Sequence, residues 1–159
     1  AFTRGQCHMI TPDVEEYLAA VRIPLRLACT TPGGWPVVVS LWYEYRHGRL
    51  YCASQEQAKV VSYLRHDPRC AFEVAADQPP YCGVRGQGSV ILDESQGPNT
   101  LERLLKRYLG GLDTPLAQKL LARRQNEVAI IIEPANLFSW NFTARMKGSV
   151  ASVDKPCPD

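Results

Sequence analysis

The chain has 159 residues, 45% hydrophobic and 21% charged, with a formal net charge of +2. That length suits one domain able to bury roughly two-thirds of its unfolded surface, so neither a disulfide nor a metal is needed to hold a core. The small net charge argues against a nucleic-acid partner, no apolar run reaches the length of a membrane span, and the N-terminal AFTRGQCHM lacks the apolar stretch of a secretory signal, so a cytoplasmic location is expected.

Thr11-Pro12-Asp13 has the make-up of a helix start, and Val14, Tyr17, Leu18 and Val21 then recur at helical spacing. Pro24–Thr30 reads as a strand that ends in the turn Thr31-Pro32-Gly33-Gly34. Pro36–Tyr45, rich in Val, Trp and Tyr, reads as one long strand, with Arg49–Ala53 as its hairpin partner around His47-Gly48. Ser54 and Gln57 fit a capping box, which predicts a helix over Gln55–Arg65 with Val60, Val61 and Leu64 as its apolar seam. Cys70–Ala76 and the glycine-bearing Tyr81–Leu92 read as strands. Leu101, Leu104, Leu105, Tyr108 and Leu109 mark an amphipathic helix stopped by Gly110-Gly111, and a second helix covers Pro115–Arg124. Glu127–Glu133 and Leu137–Phe142 read as two strands separated by a turn at Pro134-Ala135-Asn136. Residues 1–10 form an N-terminal extension, 11–143 the domain, and 144–159 a polar tail read as extended or disordered. Hairpin-linked strands with few, segregated helices predict a mainly β, α+β fold: a six-stranded antiparallel split β-barrel with short peripheral helices.

The six cysteines include no C-x-x-C pair, so zinc ligation is not expected and they read as buried, reduced thiols. His8, His47 and His66 show no ligand spacing, and no G-x-S-x-G elbow is present. Gly83-Val84-Arg85-Gly86-Gln87-Gly88 resembles a phosphate loop but has no following helix. The clearest chemical feature is a strand that runs into a helix start carrying Ser54, Gln57 and Lys59. Backbone N–H groups, a hydroxyl and an ammonium together suit a terminal phosphate. Arg85, between glycines, is a second candidate phosphate ligand or an edge charge. Trp42 and Trp140 are either packing residues or partners for a planar ring.

The succession TTPGGWP, VVVSLWYEY, GRLYCAS, YLRHDPR and CAFEV, followed by PPYCGVRGQGSVIL, LLKRYLGG and IEPANLFSWNF, resembles the pyridoxamine 5′-phosphate oxidase-like FMN-binding split-barrel superfamily from about Val14 to Phe142. The resemblance implies a homodimer with two cofactor sites at the subunit interface and a small-molecule substrate. It implies that the main chain of Val38 to Trp42 lies along the isoalloxazine ring, with a backbone N–H on Ser40, Leu41 or Trp42 near its N1/N5 edge. Ala53, Ser54 and Gln57 would hold the ribityl phosphate with Lys59, and Arg85 would assist. Counted back from Leu64 to Pro68, the lysine usual in the family falls at Val60 here, and Lys59 stands one residue earlier. Trp140 would cover the ring from the partner subunit. No side chain is implied as catalytic, because the flavin carries the reaction. The C-terminal substrate segment of true pyridoxamine phosphate oxidases is absent. The implied function is an FMN-binding oxidoreductase. The alternatives are an F420-dependent reductase on the same barrel, a non-catalytic flavin or haem binder or sensor, and a cofactor-free interaction module.

Overall fold

A computed structural model of the chain describes residues 10–148. The tail read over 144–159 therefore lies mostly outside the described residues, as do Cys7 and Cys157. Helix α1 (Pro12–Ala20) starts as its sequence predicts, with Thr11 Oγ1 accepting from the Val14 N–H and a proline in the first turn. There follow β1 (Leu25–Thr30), β2 (Pro36–Leu41), β3 (Glu44–Arg46), β4 (Arg49–Gln55), α2 (Lys59–His66), β5 (Arg69–Ala75) and β6 (Cys82–Asp93). Helices α3 (Gly97–Leu109) and α4 (Pro115–Leu121), a 3₁₀ turn at Arg124–Asn126 and β7 (Glu127–Asn141) complete the described chain.

The strands form one antiparallel seven-stranded sheet in the order β2-β1-β5-β6-β7-β4-β3. Seven strands replace the expected six because the segment read as one strand breaks at Trp42-Tyr43. Its two halves become the two edges of the sheet: β2 pairs with β1, and β3 pairs with β4. The sheet thus curls until its opposite edges are consecutive pieces of one segment, giving an α+β half-barrel. The break has a local cause. Tyr43 is driven fully into the core, where its hydroxyl donates to Leu18 O at 2.8 Å, while Trp42 turns out onto α3. Arg107 of α3 holds the same corner by donating to the carbonyls of Leu18, Ala19 and Val21 at the end of α1.

The C-terminal region also departs from expectation. The turn predicted at Pro134-Ala135-Asn136 is not a turn. β7 runs through it as one strand of 15 residues. Pro134 lacks an N–H for the ladder, and β7 takes it up with a bulge: Gln87 is opposite Asn136 and Gly88 opposite Pro134, so β7 spends one residue more than β6 there. Only glycine fits at 88, since a Cβ there would stand 2.2 Å from Glu133 O.

The interior is filled by alternate residues of the strands together with Val60, Val61 and Leu64 of α2 and Val14, Tyr17 and Leu18 of α1. A smaller cluster on the outside of the sheet is built from Leu101, Leu105 and Ala117 of α3 and α4. Cys29, Cys52 and Cys70 are buried free thiols, as predicted. Cys82 is disulfide-bonded, which corrects the reading of all the cysteines as reduced.

Candidate functional site

The break in the β2–β3 segment opens a slot. β4 pairs with β3 only from Arg49 to Tyr51, so from Cys52 to Gln55 its edge on that side has no ladder partner. Across from it β2 leaves with its own outer edge unpaired. Carried past the break, the β3–β4 register would set Trp42 beside Ala53, and both do pack against the α3–α4 cluster, so the gap between two lips, Ser40–Trp42 and Ala53–Ser54, is the candidate slot. Two strand edges facing each other across a gap offer main-chain donors and acceptors to whatever lies between.

The side chains along these lips have different duties. Trp42 stacks on Tyr108 of α3, with ring centroids 5.1 Å apart and planes 8° from parallel. Tyr108 is fixed in turn: its hydroxyl donates to Ile23 O at 3.0 Å and accepts from the Tyr43 N–H at 3.3 Å. Trp42 and Ala53 both pack against the α3–α4 cluster, which leaves their main chain for contact with a ligand. Ser40 is exposed and Leu41 half-buried. Ser54 faces opposite to Ala53 and is paired with Val128.

The end of β4 corrects the helix boundary. The predicted capping box is not formed: Ser54 and Gln55 are still in β4, and α2 begins at Lys59 with Ala58 as N-cap and no side-chain cap. The ladder to β7 out to Gln55–Glu127 outcompetes helix formation at these residues. Gln57 and Lys59 are exposed, Gln57 in the connecting turn and Lys59 at the first helical position. No acidic residue occupies the first turn of α2. A lysine at the positive end of a helix dipole is electrostatically unfavourable, and a bound anion would relieve it.

Glu127 is a residue that sequence reasoning did not single out. It sits at the foot of the slot, 5% exposed, and its Oε1 accepts from Gln55 Nε2. Burial pushes its carboxyl above the usual range, while the Gln55 hydrogen bond and the Arg123 charge pull in the other direction. The only sequence signal was a lone acid directly before the apolar run Val128–Ile132.

The structure does not bring Arg85 and Trp140 to this corner. Arg85 is opposite Phe138 and Gly83 is opposite Trp140 in the β6–β7 ladder, whereas Ser54 is opposite Val128. Ten residues of β7 separate Val128 from Phe138, roughly 30 Å along the strand. At its own end, Arg85 lies over two rings, 4.9 Å from the Phe138 centroid and 5.7 Å from that of Trp140. Across the strands this surface continues as the row Ser40, Arg26, Glu73, Arg85, Phe138. Val38 and Phe138 are large apolar side chains left 65% and 55% exposed on it.

No protein-family model matches the chain, and neither does any curated protein sequence. Solved structures do. A conserved hypothetical protein from Mycobacterium tuberculosis superposes with a TM-score of 0.71 at 22% identity, over 98% of both chains. A structure described as an F420 reductase gives a TM-score of 0.66 at 22% identity, covering 77% of this chain and 94% of that one. HutZ, the haem storage protein of Vibrio cholerae, gives 0.62 at 13% identity over 82% and 94% of the two chains. The fold is thus the pyridoxamine 5′-phosphate oxidase-like split barrel that the resemblance implied. Among the described residues, no helix is long and apolar enough to cross a membrane.

Proposed function

We propose that the chain is a flavin-binding oxidoreductase that takes FMN in the slot between β2 and β4. The observation that carries this reading is Lys59 at the first position of α2, where the unpaired edge of β4 ends. The donor set suits a flavin phosphate: helix N–H groups, the Ser54 hydroxyl, the Gln57 carboxamide and the Lys59 ammonium converge by chain order on one corner. The main chain of Ser40 to Trp42 would run beside the planar ring, and the Trp42–Tyr108 stack holds that lip in place. When bound, the flavin supplies hydride or single-electron transfer, and the protein supplies orientation and exclusion of water.

The reading includes a dimer. Among the described residues, Val38 and Phe138 are left exposed on the sheet face formed by β2, β1, β5, β6 and the end of β7. Pairing through this face would let Arg85 and Trp140 of one chain serve the slot of the other, which one chain by itself does not allow.

F420 is the second reading, favoured by the likeness to an F420 reductase. Its acidic tail would need free cations along the β3–β4 hairpin. There Arg49 is engaged with Glu133 at 2.5 Å, and Arg46 lies over the Tyr51 ring. The pairing of these two arginines favours FMN. The test is a titration of the purified protein with FMN, F420 and haemin in parallel. Saturable FMN binding with quenched flavin fluorescence supports the reading. Tighter F420 binding transfers the site to the deazaflavin, and haemin binding alone overturns the flavin assignment.

A further inference from the structure

We propose that Cys29 and Cys70 are a redox pair that closes to a cross-strand disulfide and staples β1 to β5. The β1–β5 register sets Arg26 opposite Glu73, Leu27 opposite Phe72 and Ala28 opposite Ala71. β1 continues to Thr30 and β5 begins at Arg69, so the next step of the same register brings Cys29 opposite Cys70. Both are free thiols turned into the barrel, 3% and 8% exposed. Residues directly opposed in antiparallel strands hold their Cα atoms about 4.5–5.5 Å apart, inside the disulfide range of about 4.4–6.8 Å. Their Cβ atoms need to approach by only about 1 Å. Burial, and after it the neighbouring Cys29, push the Cys70 thiol up to about 11.

Each thiol is also held on its far side, Cys29 opposite Val37 and Cys70 opposite Gly88, so an oxidant reaches the pair only when the β1–β5 seam opens beyond its last rung at Ala28 and Ala71. Cys52 also approaches Cys70, but it comes from β4 across the interior and is fully buried. The chain already carries one oxidised cysteine at Cys82. The oxidant assigned is a peroxide. On opening, the Cys70 thiol gives up its proton and its sulfur attacks one peroxide oxygen; the O–O bond breaks, and the departing hydroxide takes up that proton, leaving a sulfenic acid and water. The Cys29 sulfur then attacks the sulfenic sulfur, the S–S bond forms, and the hydroxyl leaves as a second water with the thiol proton. Two thiols and one hydrogen peroxide become one disulfide and two waters.

The staple bears on the support of β2. Among the described residues β1 is the only strand paired with β2, and Cys29 is opposite Val37, four positions along β1 from the Leu25–Leu41 pair. Oxidation therefore stiffens the β1–β2 hairpin at its turn end. The test treats the full chain with hydrogen peroxide, blocks remaining thiols with an alkylating agent after unfolding, and maps the peptides without reduction. The expected result is a linked pair of peptides containing Cys29 and Cys70, a mass loss of two hydrogens, and slower amide exchange over residues 25–30. Cys52→Ser should leave the link intact, and Cys70→Ser should abolish it. A Cys52–Cys70 link overturns the proposal. So does full alkylation of Cys29 and Cys70 at a peroxide dose that already converts methionines to the sulfoxide.

Discussion

Trp42 lies flat on Tyr108, 8° from parallel, and that contact joins the lip of the slot to the helical layer outside the sheet. Tyr108 also accepts from the Tyr43 N–H and donates to Ile23 O, so one side chain holds three points of the corner. Tyr108→Phe should cost about 1–2 kcal/mol through two lost hydrogen bonds in a partly buried setting. Tyr108→Ala should cost about 3 kcal/mol or more, since the stacking partner of Trp42 also disappears. Urea unfolding of the two variants checks the order. Equal midpoints for both would show that the stack contributes nothing beyond the hydroxyl.

Lys59 and Arg85 are predicted to act on the same flavin from different chains. Lys59→Ala should weaken FMN binding by about 1.5 kcal/mol, a little over tenfold. Because both would bear on one flavin across the interface, the double variant should lose more than either single variant, without strict additivity. Fluorescence titration of the single and double variants reads this directly. Full affinity in the double variant would remove the phosphate corner from the proposal.

Glu127 gives a pH dependence with a definite sign. Burial raises its folded-state value above the ordinary 4.5, so the neutral carboxyl is the form the fold prefers. Its contribution is fully present below the unfolded value and is lost as pH rises through the folded one. Relative to the wild type, Glu127→Gln should therefore gain stability on going from pH 4 toward neutrality, about 1 kcal/mol for each unit by which the folded value is raised. Thermal melts across that range decide it, and parallel pH profiles for the two proteins would count against the assignment.

The approach of α3 to β7 can be probed with glycines. A Cβ on Gly97 would stand 1.8 Å from Glu127 O, whereas one on Gly111 would meet nothing within 4 Å. Gly97→Ala should destabilise by about 3 kcal/mol or more through forced separation of backbone from backbone. Gly111→Ala should lie between neutral and a gain of about 1 kcal/mol, by restricting the unfolded chain. Chemical denaturation of both variants measures the contrast.

The dimer is tested by charge on the open face. Val38 is 65% exposed on the edge strand, and Val38→Lys would add an ammonium to a face that already carries Arg26 and Arg85 and would remove apolar area from it. Light scattering should find the wild type as a dimer at micromolar concentration and the variant shifted to monomer. A wild-type monomer would remove Arg85 and Trp140 from the site.

The alternation of apolar residues made most strands readable, and the Thr11 cap made α1 readable to its first residue. Two kinds of feature escaped. Ser54 to Gln57 carry helix-start chemistry, but the ladder of β4 on β7 extends to Gln55, and a long-range pairing outweighs a local preference there. Likewise Pro134-Ala135-Asn136 looks like a turn in isolation, and only the bulge opposite Gly88 of another strand lets the chain pass straight through. The site was legible as a set of residues close in sequence, Ser40 to Trp42 and Ala53 to Lys59. The distance of Arg85 and Trp140 from them was not, because it depends on which end of the β6–β7 ladder each segment joins. Glu127 gave no warning, since a single acid before a strand is ordinary until its burial is known.

The interruption at Trp42-Tyr43 makes the curled sheet self-fastening: the chain that leaves one rim at Leu41 arrives at the other at Glu44, with two residues between. Cleavage of the backbone at that point would unlink the two rims while leaving each on its own neighbour, β2 on β1 and β3 on β4. A protease site engineered there would thus separate what the covalent link contributes to the curl from what the ladders contribute.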